Sequence, residues 1–552
     1  MIPPRWLLRL LGDDRVRERN LADAGAAADR VRLDRDLSAD ERRFRARMDA
    51  LARVEHVELG TTAEGQPYRM ALADVASLPG HCTAATGAGK SRFVGALMSR
   101  VMEAIVRGAP LAVVHIDGKG EGAEQQLVMV AALAARLPGG ERQRFLANVH
   151  TLRFFDPRYL PAWPLLAPVA GVPVEAQADA FAEVLSEVVA DATVGPRQRA
   201  SLAGVAALAL EFSIPLPALP WLLSSPADVA ALAARSSSPL VRLELSRFER
   251  EPQGSIDGLL ARLGVLLRAP SLKAVLAGEN PFEFSRCFEP GNVTTISFGG
   301  ADLGARAAVR AMGSLAISAL ANAAFDPRRT VRGTTLIVID EPQAFGTSVS
   351  FGQIDRLITL GRSFGAAGVL LLHQGATQLP NETQLGLGTN VVWRALGRSA
   401  RRDVEAASEW LPRTGRVPRP RAPGARLGEP LFLDRGQEER HRVAEIGRLP
   451  VRHFLVADRR ADFAPRIIRA PDHDPPPWSA IPADIADAVA RGSSGVPRAI
   501  LEARVRAVEE SAAARFAEGV RAEGTRGRRG NAVPTTPDIV GTGRGSRRGG
   551  VP

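Results

Sequence analysis

"HCTAATGAGKSRFVGALMSRVM", His81 to Met102, is the stretch whose reading decides the fold. A short apolar segment turns through Thr86-Gly87-Ala88-Gly89-Lys90-Ser91. It then runs into Phe93, Val94, Leu97, Met98, Val101, Met102 and Ile105, which recur at helical spacing. The order is strand, loop, helix. Glycines let such a loop curl so that successive N–H groups and the helix N-terminus face phosphate oxygens. The lysine reaches the β- and γ-phosphates, and the hydroxyl after it ligates Mg²⁺. Thr86, Gly87, Ala88, Gly89, Lys90 and Ser91 are therefore the candidate nucleotide-binding residues, with Ser91 a candidate metal ligand. Against the pattern GxxxxGK[ST] there is one departure, Ala84 in place of the first glycine, which is tolerable if its φ stays negative. A chance Gly-Lys-Ser turn is the competing reading. The strand before the loop and the core helix after it, stopped by Gly108 and Pro110, argue against chance.

A second stretch supplies the carboxylates. "TTLIVIDEPQAF" is an apolar strand ending in Asp340 and Glu341. Beside a phosphate loop, a strand-end aspartate holds Mg²⁺ and the adjacent glutamate polarises the attacking water. An apolar run ending in acids is weak evidence alone; paired with the loop it is strong. One crossover later "VLLLHQ" places Gln374 at the end of another buried strand, the edge where ligands bind in such sheets. Gln374 reads equally well as a γ-phosphate sensor and as a polar residue meeting solvent. Its neighbour His373 reads as structural. Arg362, beside Gly361, is either a favourable cation at a helix end or an arginine finger acting across a subunit interface. Arg394, Arg398, Arg401 and Arg402 compete for that role or for DNA phosphates.

The 552 residues allow two to four domains. A net charge of +11 and a pI near 10.8 suggest a polyanionic partner, nucleic acid or an acidic membrane surface. Nearly every basic residue is arginine, and the only lysines are Lys90, Lys119 and Lys273. Two cysteines cannot form a disulfide framework, so the chain reads as intracellular. Prolines and Glu211 break the longest apolar stretch, Leu202 to Leu223, and no transmembrane helix is expected. Residues 1–65 read as a charged helical extension, with a capping box at Ser38 and Glu41 opening a helix towards Val54. Apolar strands alternate with helical patterns over 66–157 and again over 291–470, which implies an α/β core with a mainly parallel sheet. Between them, 158–290 reads as an inserted all-α domain. Residues 471–552 read as a proline linker, a helix from about Pro497 to Ala517 and a disordered basic tail. The arginine-rich stretch between Arg413 and Pro430 reads as an exposed loop.

"HCTAATGAGKS", "HIDGKGE", "FDPRYLPAWPLL", "VIDEPQAF", "LGRSFGAAGVLLLHQGATQL" and "RVAEIGRLPVRHFLVAD" occur in the order that resembles conjugative coupling proteins of type IV secretion systems, the TraG/TraD type, within the FtsK/HerA superfamily. The resemblance spans roughly residues 66 to 460. "HIDGKGE" is similar to that family's Asp-Pro-Lys-Gly-Glu motif with Gly118 in place of proline. The resemblance implies a RecA-like core with an inserted all-α domain, a homo-hexameric ring with ATP at subunit interfaces, and DNA passing through a basic channel. Lys90, Ser91 and Asp340 would then hold ATP and Mg²⁺, Glu341 would activate water, Gln374 would sense, and Arg362 would act in trans; Lys119 has no assigned role. Coupling proteins usually carry two membrane-spanning helices at the N-terminus, and this sequence shows none. A cytoplasmic protein is implied, with attachment at the inner face of the membrane through a separate membrane partner as the variant. Relaxase and other secretion-system proteins are the implied partners. The leading expectation is a DNA-translocating ATPase. The alternatives are a nucleotide-gated adaptor that recruits substrates without pumping, and a protein-directed secretion ATPase.

Overall fold

The computed structural model describes residue 31 and residues 34–529, except 170, 189–195, 247, 249–252, 301–305, 330–332, 365–366, 376–377, 409–410, 412–416 and 418–432. The N-terminal 30 residues, almost all of the Arg413–Pro430 loop and the tail beyond 529 lie outside the described residues. In chain order the strands are β1 (His56–Thr61), β2 (Pro67–Ala71), β3 (Gly80–Thr83), β4 (Leu111–Asp117), β5 (Val149–Arg153), β6 (Tyr159–Pro161), β7 (Val293–Ser297), β8 (Thr334–Asp340), β9 (Ala367–His373), β10 (Trp393–Gly397), β11 (His453–Asp458), β12 (Arg466–Arg469) and β13 (Gly495–Pro497). An 11-stranded sheet runs β2-β1-β12-β11-β10-β3-β9-β8-β4-β7-β5. From β10 to β5 all neighbours are parallel. From β10 to β2 they are antiparallel.

The parallel strands are continuous apolar runs because helices cover both of their faces. Alternate residues divide between two clusters, as the two-residue period of a strand demands. Val113, Leu336 and Leu370 face the helix Lys90–Val106, which buries Phe93, Leu97, Met98, Val101 and Met102 at the spacing read from the sequence. Val114, Ile337 and Leu371 face the other way, into a cluster that continues without a break through Phe181, Leu208, Leu222 and Leu263 of the inserted helices. The insertion is thus seated on one face of the sheet. Prolines that interrupt its apolar pattern open its helices at Pro226, Pro239 and Pro270, where the missing N–H costs nothing. The helix Arg306–Ala324 is long and apolar enough to cross a membrane by composition, and it lies buried in this second cluster.

Three expectations need correction. Ser38 and Glu41 lie inside a helix spanning 34–51, so they do not form its opening capping box. Buried Asp40 of that helix accepts from Arg466 Nη2 at 2.8 Å and from the Ala464 N–H at 3.0 Å, tying the helix to the antiparallel end of the sheet. The strand β1, which falls within the stretch read as an extension, pairs with β2 and β12. The stretch read as linker and helix also packs on the rest of the protein. Helix Ala483–Arg491 lies against helix Glu121–Arg136, β13 pairs with β6, and helix Arg498–Arg529 buries Leu501 and Val505 against the insertion. That helix also forms Lys273–Glu509 and Arg504–Glu279 ion pairs.

Candidate functional site

The loop after β3 takes its shape from two glycines in the left-handed region, Gly87 at φ 77° and Gly89 at φ 98°. A Cβ on Gly89 would stand 2.8 Å from Arg452 Cγ, whereas one on Gly87 would meet nothing within 4 Å. One side of the loop is packed and the other is open. Ala84 is absent from the positive-φ residues and is fully buried. Its methyl fits because Gly397 on β10 lacks one; a Cβ there would lie 2.8 Å from Ala84 Cβ. The Ala85 N–H donates to the Arg398 carbonyl at 2.8 Å, and the Arg452 N–H donates to the Ala88 carbonyl at 2.8 Å. Gly89, which has no side chain, caps the helix Lys90–Val106, so no N-cap side chain occupies the first-turn N–H groups beside exposed Ser91. Such a terminus suits an anion.

Parallel register brings the strand ends together: Asp117 pairs with Asp340, and Thr83 with His373. Lys90 Nζ donates to Asp340 Oδ1 at 3.0 Å and to Glu341 Oε1 at 2.8 Å. Gln374 Nε2 donates to the same Glu341 oxygen at 3.0 Å, so the structure places Gln374 in the cluster. The other oxygen, Oε2, takes Gln343 Nε2 and lies 3.4 Å from Lys119 Nζ. Glu341 itself sits at φ 55°, a strained conformation for a side-chain-bearing residue. Burial disfavours the charged form of all three groups, Lys90, Asp340 and Glu341. It disfavours the ammonium, but the two carboxylates outweigh it and hold the Lys90 pKa above its usual value. It pushes the Asp340 carboxyl up, and Lys90 offsets that only in part. It would push Glu341 up as well, yet Lys90, Lys119 and Gln374 hold that carboxyl below the usual range. A glutamate with more donors than its neighbour is the stronger anion.

His373 and His81 are fully buried and hydrogen-bonded through their Nε2 atoms, which supports the structural reading of His373. Burial holds His81 well below its usual pKa and lowers His373 to about 4, so both are neutral at pH 7. Arg394 was a candidate finger or phosphate contact, and the structure overturns that. It is 2% exposed, donates to the Leu387 carbonyl at 2.7 Å, and contacts His81 beneath the sheet edge. Arg398 and Arg402 are exposed, and Arg401 pairs with Glu405 at 2.8 Å. Arg362 is exposed just past helix Ser348–Leu360 and makes no described bond to the Lys90 cluster.

Sequence reading did not single out Gln343 or Arg452. Gln343 lies within "IDEPQAF", two residues past Glu341, but the turn that folds it back is invisible in the sequence. Arg452 sits at φ 67° against Gly89 and pairs with Asp472. No local pattern marks an arginine in the left-handed region.

No family model matches the chain, and no curated protein matches it. Among solved structures, it is similar to the bacterial conjugative coupling protein TrwBΔN70 in an unbound form, at 17% identity and a TM-score of 0.45, over 75% of this chain and 89% of that one. VirB4 of Thermoanaerobacter pseudethanolicus aligns at 13% identity and a TM-score of 0.49, over 76% of this chain and 97% of that one. The plasmid coupling protein TrwB in complex with ADP and Mg²⁺ aligns at 14% identity and a TM-score of 0.45, over 76% and 90% respectively.

Proposed function

We propose that this chain is an ATPase that drives DNA movement, working as a homo-hexameric ring with its nucleotide sites at subunit interfaces. The observation that carries the ATPase reading is the sharing of Lys90 between Asp340 and Glu341, with Gln374 on the same glutamate. A phosphate-binding lysine, a metal-binding carboxylate and a water-activating carboxylate belong within one hydrogen-bonded set, and the open side of the loop at Gly87 leaves room for phosphates. The residues fit ATP and Mg²⁺: loop amides and Lys90 for the β- and γ-phosphates, Ser91 and Asp340 for the ion. Bound Mg²⁺ supplies positive charge against the phosphate oxygens. Transfer of Lys90 to those oxygens would free Glu341 Oε1 to accept a proton from water that Gln374 orients. Exposed Arg362 suits a finger offered to a neighbouring subunit.

A net charge of +11 supports DNA as the partner, bound through phosphates without sequence preference and weakened by salt. The test is hydrolysis by the purified chain with Mg²⁺, with and without single- and double-stranded DNA. DNA-stimulated turnover supports the proposal. Nucleotide binding with no hydrolysis under any DNA condition would favour the nucleotide-gated adaptor instead.

A further inference from the structure

Two of the three lysines in a chain that otherwise uses arginine converge on one carboxylate. Lys90 takes Glu341 Oε1 at 2.8 Å, and Lys119 lies 3.4 Å from Oε2. The phosphate-loop chemistry accounts for the first and leaves the second without a task. Lysine's compact charge on a flexible stem suits a mobile partner such as phosphate. Lys119, however, springs from a backbone that is tightly fixed.

Asp117 fixes it. Its Oδ1 accepts the Lys119 N–H at 2.8 Å and its Oδ2 accepts the Ala123 N–H at 2.8 Å, so this carboxylate is committed to shaping the turn after β4. The turn is wedged between two neighbours. A Cβ on Gly118 would lie 2.6 Å from Ala344 Cβ, and one on Gly120, at φ 93°, would lie 2.6 Å from Gly299 Cα. With 118 and 120 packed on either side, the backbone of Lys119 is held where its Nζ lies 3.4 Å from Glu341 Oε2. The pair is one-sided in solvent: the Lys119 side chain is 49% exposed and that of Glu341 is 6% exposed.

The two oxygens of Glu341 therefore have separate custodians. Oε1 faces the phosphate loop through Lys90 and Gln374, and Oε2 faces Lys119 and Gln343. We infer that Lys119 is a positioning residue for ATP hydrolysis, holding Glu341 Oε2 so that Oε1 stays aimed at the attacking water when Lys90 moves to the phosphates. The inference rests on the ATPase reading above. An ordinary surface ion pair would leave turnover untouched; a positioning cation affects the chemical step and spares nucleotide binding.

The experiment compares the full-length wild-type chain with Lys119→Met, Lys119→Gln and Lys119→Arg, measuring kcat, KM and the Kd of a non-hydrolysable ATP analogue. Lys119→Met and Lys119→Gln are expected to lower kcat by about tenfold or more, the scale of a misaimed catalytic group. Analogue Kd should stay within about twofold, because the phosphate-loop contacts made by Lys90 are intact. Lys119→Arg, which keeps a cation within reach of Oε2, should recover most of the loss. Two neutral variants with wild-type kcat would overturn the inference alone, as would a fall in kcat matched by loss of analogue binding. A wild-type chain that binds the analogue without hydrolysing ATP overturns the ATPase reading and this inference with it.

Discussion

Lys90→Ala removes the cation shared by two buried carboxylates, and its cost is best read as stability. The side chains of Lys90, Asp340 and Glu341 are 10%, 11% and 6% exposed, so little solvent screens them. Breaking one side of such a buried pair typically costs about 3–5 kcal/mol, because a charge is stranded. Glu341 retains Gln374, Gln343 and Lys119, whereas Lys90 makes the one ion pair to Asp340 among the described residues; the donors left on Glu341 favour the lower end, about 3 kcal/mol. For a chain of this size the unfolding entropy is on the order of 1 kcal/mol per kelvin, so the melting temperature should fall by roughly 3 °C near pH 8. The deficit should shrink as pH falls. In the variant, Asp340, whose carboxyl burial already pushes up, loses the lysine that offsets burial, so its protonation favours the folded state on the way down. In the wild type, Glu341 titrates below its usual range, and its contribution is present above the unfolded pKa and lost as pH falls through the folded one. Calorimetric melting of both proteins at pH 8 and at about pH 4, below the unfolded glutamate value, checks this. Equal melting temperatures at pH 8, or a deficit that does not narrow at about pH 4, would refute the coupling drawn from the geometry.

Glu341→Gln should keep ATP binding within about threefold and lower turnover by about a hundredfold or more, because an amide cannot take the proton; stopped-flow binding and steady-state hydrolysis separate the two. Gly397→Ala should cost about 2 kcal/mol through overlap with Ala84 Cβ at 2.8 Å and the Phe454 ring at 2.9 Å. Adding Ala84→Gly should recover about half of that in a denaturant double-mutant cycle. The buried neutral histidines should make stability fall as pH drops from 6.5 towards 4, since the unfolded chain takes up protons that the folded one refuses. His373→Gln, which cannot titrate, should flatten that slope by up to about 1.4 kcal/mol per pH unit.

The parts of the site that could be read in advance are those whose logic is local. Lys90 and Ser91 follow the loop, and Asp340 and Glu341 close an apolar run, so type and spacing identify them. Gln374 was ambiguous because its partner lies 33 residues away, across a β8–β9 register that no single stretch encodes. Lys119 was visible as a motif and silent as a role for the same reason, since β4 must first align with β8. Arg394 was misread because an arginine in an apolar strand suggests exposure, while here a carbonyl and a neutral histidine take its guanidinium inside. At the fold level the parallel strands stood out as unbroken apolar runs. In the antiparallel extension β1 and β12 did not, because they meet only between Thr61 and Arg469, positions far apart in the chain that no local pattern links. Leu501, Val505 and Val508 recur at helical spacing in the sequence, but only the assembled insertion shows what they pack on.

The most direct test of a DNA-moving motor is displacement of a triplex-forming oligonucleotide from duplex DNA by the full-length chain. Displacement with ATP and Mg²⁺, its absence with a non-hydrolysable analogue, and its absence in Glu341→Gln are the expected results. Hydrolysis that proceeds while the oligonucleotide stays bound, or displacement by Glu341→Gln equal to wild type, would contradict the account.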